Sequence, residues 1–126
     1  MTPLFLMFLF TALMAFFNAV MDATENEPNF NESIFKNLNR KFWLKTVSWE
    51  YAKRIGGYKF DAWHLAKSFM IISFACVVVA GIYFGVWVFE HNSPKVIIMT
   101  VIVNLAVGLT WISVFTLFYH KIFKVK

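Results

Sequence analysis

Cysteine is almost missing from this chain. Cys76 is the only one in 126 residues, so an intramolecular disulfide is impossible, and the zinc-finger and CxxC redox classes are excluded with it. It lies in the middle of an apolar run, where a small buried side chain is its expected role. Charge is also scarce: 15% of residues are charged, against about a quarter in an ordinary water-soluble domain, and they are concentrated outside three long apolar stretches. Enzyme signatures are absent, with no HExxH, GxSxG, P-loop or dinucleotide fingerprint. With three His and one Cys, a closed zinc site would have to draw on distant residues. Haem held between spans by His64 and His120 is disfavoured, because both fall near one membrane surface and no second pair exists.

Apolar surface is what the chain has in excess. It is 60% hydrophobic, with sixteen Phe, five Trp and four Tyr, which is too apolar for a soluble domain of this length. The pattern predicts an all-α helical membrane protein: one membrane domain over residues 1–126, with three transmembrane helices and an amphipathic interfacial segment between the first and second. The first span, Pro3 to Met21, carries only Thr11 and Asn18 as polar interruptions. At 1.5 Å per residue it reaches about 28 Å, close to the hydrocarbon thickness. No Lys or Arg precedes it, and a small-x-small cleavage pattern is poorly met around Ala19 and Ala23, so a retained helix is preferred over a cleaved signal peptide. The second span is expected over 62–89, with Asp61 as N-cap and Lys67 snorkelling to the headgroups. The third covers 96–119, after a turn from Glu90 to Lys95 in which Pro94 sits where a helix would start.

Between spans one and two the chain opens acidic (Asp22, Glu25, Glu27, Glu32) and turns basic and aromatic. Ile34, Phe35, Leu38, Phe42, Trp43, Val47, Trp49, Ala52 and Ile55 recur at three- and four-residue steps, with Lys and Arg filling most of the remainder. An interfacial helix or helix pair over about 33–55 fits this, its aromatics at headgroup depth and its cations toward anionic lipid. Gly56 and Gly57 should end it as a hinge.

The net charge of +5 raises nucleic-acid binding, but no phosphate loop, RNA-binding aromatic motif or compact basic helix is present, and the cations flank the apolar spans. They read as topology. The first connection holds seven Lys or Arg, the tail three and the 90–95 turn one, which places the N-terminus outside and the C-terminus inside, in the cytoplasmic membrane. The Asn31-Glu32-Ser33 glycosylation pattern would then lie on the cytoplasmic side and stay unmodified.

For packing, Gly81 and Gly85 form a GxxxG on span two, and Gly108 offers a small surface on span three, as contacts within the chain or between chains. Asn104, midway along span three, needs a partner for its amide. A second set of polar residues falls at the inner membrane surface. Asn18 and Asp22 end span one, Asp61, His64 and Ser68 begin span two, and His120 ends span three. Asp22, Asp61, His64 and His120 could hold a divalent metal, or Asp22, Asp61 and His64 could do acid/base chemistry on a lipid headgroup. The plain alternatives are a helix end for Asp22, a cap for Asp61 and interfacial placement for the histidines.

The strings Asn18-Ala-Val-Met-Asp22, Phe42-Trp43, Ser48-Trp49-Glu50 and Asp61-Ala-Trp-His64-Leu-Ala-Lys67-Ser68 resemble a group of small prokaryotic or phage-associated integral membrane proteins with NxxxD, SWE and DAWH-type motifs. The likeness covers roughly residues 15 to 70. It implies that these positions belong together as a set and brings no activity with it. The preferred expectation is an interaction or accessory subunit, a homo-oligomer or partner of another membrane protein. The alternatives are a metal-dependent hydrolase or transferase acting on a lipid-like substrate, and a pore.

Overall fold

The computed structural model describes residues 2–51, 53–55, 57–91 and 93–125; Ala52, Gly56 and Asn92, and the side chains of Lys53 and Ile55, lie outside the described residues. It is an all-α membrane protein. The long elements are α1 (Thr2–Thr24), α5 (Ala62–Glu90) and α6 (Pro94–Thr116), the last continued by a π-helical segment, Leu117–Phe123. All three are long and apolar enough to cross a bilayer. Between α1 and α5 lie α2 (Glu27–Asn31), a 3₁₀ turn (Ile34–Asn37), α3 (Arg40–Trp43), α4 (Lys45–Tyr51) and an antiparallel hairpin of β1 (Lys53–Ile55) and β2 (Tyr58–Phe60).

Helix α1 is the axis of the bundle. It lies along α5 and also meets α6, whereas α5 and α6 touch each other only sparsely. The reason is a strip of buried residues at every fourth position of α1: Met7, Thr11, Ala15, Ala19 and Ala23. On α5 the buried set is Ala62, Ala66, Ser73, Ala80 and Phe84. Small side chains let backbones approach where lipid supplies no hydrophobic drive. The expected glycine seam is therefore corrected: a Cβ built at Gly81, Gly85 or Gly108 meets nothing within 4 Å, so alanines and not glycines make the contact within the chain. Asn104 faces away from the bundle and donates from Nδ2 to Thr100 O at 2.8 Å, within its own helix. Cys76, expected to be buried, is a half-buried free thiol.

The interfacial segment departs from one continuous amphipathic helix. Polar side chains cut it into pieces by capping new turns: Asn26 accepts from Asn29 N, Ser33 from Phe35 N and Asn39 from Lys41 N. The hairpin then returns the chain to α5, with Gly57 at φ +83, in the left-handed region that suits glycine. The pieces fold onto the ends of α1 and α6. Phe30, Phe35, Leu44 and Phe123 are buried with Ala19 and Ala23. The wide π turn brings Phe118 and Phe123 within 5.7 Å and both against Phe16. Val125 N donates to Glu32 O at 2.6 Å, so the first connection and the tail share one end of the bundle.

Two substitutions on the α1 strip should act in opposite directions. Ala19→Leu overpacks a position with no exposed surface and should cost about 1–3 kcal/mol. The Thr11 hydroxyl is buried with no hydrogen-bond partner among the described residues, so Thr11→Val should leave stability unchanged or raise it by about 1 kcal/mol. Thermal unfolding of both variants in detergent checks this; a stable Ala19→Leu protein would show that the strip is not the contact.

Candidate functional site

The start of α5 carries a compact polar and aromatic cluster. Asp61 has an extended backbone, and its Oδ1 accepts from His64 N at 2.9 Å, the N-cap expected from its position. Its second oxygen, Oδ2, accepts from His64 Nδ1–H at 2.7 Å, one turn into the helix. Asp61 is fully buried, and the His64 side chain is 18% exposed. A carboxylate on Nδ1 fixes the tautomer and ring orientation and leaves Nε2 as the free nitrogen.

The hairpin closes on this pair. Tyr58 donates its hydroxyl to the His64 carbonyl, and the Tyr58 hydroxyl oxygen also lies 2.6 Å from Ser68 Oγ. Because a carbonyl only accepts, Ser68 must be the donor to Tyr58. Trp49 from α4 stacks on the imidazole with centroids 6.1 Å apart. Lys59 Nζ donates to Trp49 O at 2.6 Å and sits 3.2 Å from the Trp49 ring centroid. Partial withdrawal from water, reinforced by Arg54, pushes the Lys59 ammonium below the usual lysine range, with Asp61 pulling the other way. On the other side of the helix turn, Lys45 Nζ and Lys67 Nζ lie 3.9 Å and 5.1 Å from the Trp63 ring centroid, and Lys45 also pairs with Glu25 at 3.0 Å.

Of the expected site residues, the structure joins Asp61 to His64 directly and brings Ser68 into the network through Tyr58. It does not assemble the metal set. Among the described residues no three of His, Cys, Asp and Glu converge to hold an ion, so the divalent-metal reading of Asp22, Asp61, His64 and His120 is corrected. His120 is exposed on the π segment. Asp22 is half-buried inside α1, two residues before its end, and its recorded polar contact is through its backbone carbonyl, which accepts from Asn29 Nδ2 at 3.0 Å. It therefore anchors α2, and the acid/base trio reduces to Asp61 and His64.

Tyr58, Trp49 and Lys59 escaped the sequence reading as members of this cluster. The signal for them was present: two glycines flanked by short runs containing Ile55, Tyr58 and Phe60 form a two-residue hairpin pattern, which returns Tyr58 over the start of α5. Compared with protein-family models, curated proteins and solved structures, the chain has no match.

Asp61→Ala removes both the cap and the imidazole clamp and should cost about 1–3 kcal/mol, with His64→Ala costing less because the cap survives. Thermal unfolding of the two variants orders them; the reverse order would mean that the ring packing of His64, not Asp61, holds the cluster.

Proposed function

We propose that this protein is a membrane-embedded interaction subunit that associates with a second copy of itself, with its N-terminus outside and its C-terminus inside the cytoplasmic membrane. The observation that carries the reading is the bareness of α6. No residue of this helix is buried within the chain, although it contains a carboxamide midway along an apolar span. The Asn104 amide has two N–H donors and an accepting oxygen, and a single bond to Thr100 O uses one of them. In hydrocarbon the remainder favours a partner helix. Gly108, one turn further on, is exposed with open space around it, so a second backbone can come close there. A two-fold pair of α6 helices satisfies both features, each Asn104 bonding to its counterpart.

The orientation rests on the distribution of cations, seven in the first connection, three in the tail and one in the 90–95 turn. It is consistent with the connection and the tail meeting at one end of the bundle.

A second reading, a small hydrolase or transferase at the membrane surface, is favoured by one feature, the 2.7 Å pair of buried Asp61 and His64. His64 Nε2 would take a proton from water or a lipid hydroxyl, with Asp61 stabilising the imidazolium. This reading requires release of product from phospholipid by the wild-type protein and its loss in His64→Gln.

Asn104→Leu should raise the dimer dissociation constant about 3- to 30-fold, and Gly108→Leu should act in the same direction, measured by energy transfer between labelled chains in lipid. Undiminished assembly in both variants would remove self-association through α6. For orientation, a reporter that is active only in the cytoplasm should work when fused after residue 126 and fail when inserted in the 90–95 turn. The opposite pattern would invert the topology.

A further inference from the structure

A cleft of about 300 Å³ opens between the ends of α1, α5, the interfacial segment and the tail. Its walls include Phe17 and Val20 of α1, Phe35 and Phe42 of the connection, Ala66 of α5, and Phe123 of the π segment. Apart from the Trp43 indole, its lining side chains are all hydrocarbon. Val20 and Ala66 each lie about 6 Å along their helices from the end that meets the connection, so the cleft begins about one turn inside both spans. It is too small for a helix about 10 Å across and lies at the low end of ligand cavities.

The surroundings of the cleft are not apolar. Each of four lining residues has a lysine beside it in sequence: Phe35 with Lys36, Phe42 with Lys41, Ala66 with Lys67, and Phe123 with Lys124. None of the four lysines lines the cleft itself: Lys41 Nζ lies 4.7 Å from the Tyr51 ring centroid, Lys67 Nζ 5.1 Å from that of Trp63 and Lys124 Nζ 5.7 Å from that of Tyr119. Lys124 is paired with Glu32 at 3.5 Å. Lys36, Lys41 and Lys67 are exposed and form no ion pair among the described residues. An apolar slot whose lining residues are flanked in sequence by exposed lysines free of ion pairs among the described residues is complementary to one molecule class, an alkyl chain beneath an anionic head.

We infer that this cleft is a specific site for one acyl chain of an anionic phospholipid, with the lipid phosphate held at the rim by Lys41 and Lys67. The inference rests on the membrane placement of the three helices and is independent of self-association through α6. A lipid seated here touches α1, α5, the connection and the tail together, so it ties the polar cap to the spans. Trp63, which follows the lining residue Ala62, is approached by both Lys45 and Lys67.

The test uses the full chain in phosphatidylcholine nanodiscs doped with phosphatidylglycerol, followed by native mass spectrometry of the released protein. The expected result is one phosphatidylglycerol retained per chain in preference to phosphatidylcholine. Replacing Lys41→Gln and Lys67→Gln together should lower that preference about 10-fold. Leu65→Trp, which fills the slot from another lining position, should lower retention of either lipid. Should Leu65→Trp fail to fold, Val20→Phe fills the slot from α1. Equal retention of the two lipids by the wild-type protein overturns the anionic assignment. Undiminished retention in a folded slot-filling variant overturns the site itself.

Discussion

In lipid, two helices approach as closely as their side chains allow, and the rest of this structure depends on how closely α1 and α5 can do so. Ala15, Ala19 and Ala23 present almost nothing beyond Cβ, and Ala62, Ala66 and Ala80 answer from α5. Their contact brings the end of α1 to the start of α5, although thirty-seven residues of sequence separate Thr24 from Ala62. The connecting segment must therefore fold back over one end of the bundle. Helix α6 then leans mainly on α1 and meets α5 only sparsely, because α5 has used its small-residue face. Asn104 is left exposed on α6, and Gly108 borders an open groove shared with α1 and α5.

The cap over that end is built by side chains that compete with helix formation. The amphipathic spacing of residues 33 to 55 suits a long interfacial helix, yet Ser33 and Asn39 each offer a side-chain oxygen to the backbone and restart the chain in a new direction. Redirection lets Phe35, Leu44 and Phe123 leave the interface and become a small core, while Trp49, Tyr51 and Phe60 stay exposed. A straight helix on the membrane surface could not bury Phe35 against Trp43 and Phe123 at the same time, with centroids 5.0 Å and 5.1 Å away.

Which features could be read from sequence follows from the range of the interaction that makes them. The three spans are properties of continuous composition, and their class and approximate bounds were legible. So was the local cap at Asp61, which begins its helix by accepting from the backbone amide three residues on. The Asp61 to His64 contact was legible too, because it needs only one helical turn. Contacts between elements were not. The GxxxG on α5 drew attention as a stronger local motif than the alanines of α1, but which strip faces a neighbour depends on the rotation of each helix, which no single segment encodes. The proposed convergence of Asp22 and His120 with Asp61 assumed that equal depth means proximity. Residues at one depth still point around a circle, and these do not gather into an ion-holding group.

The buried carboxylate at the start of α5 explains how these parts act together. A charge with no exposed surface is costly unless hydrogen bonds compensate it, and Asp61 meets that requirement through two donors from a single residue, the His64 amide and its ring. Both bonds tie Asp61 to the first turn of α5, so the carboxylate fixes the direction in which the helix leaves the hairpin. Tyr58 reaches over the same turn to the His64 carbonyl and Ser68, which fixes the hairpin in return. Loosening this joint would tilt the first turn of α5 and displace Ala66 from its packing. Because Ala66 also lines the cleft, the polar joint and the apolar slot share one rigid turn of helix. The arrangement places the fully buried carboxylate of the cap directly before Ala62, where the cleft lining on α5 begins.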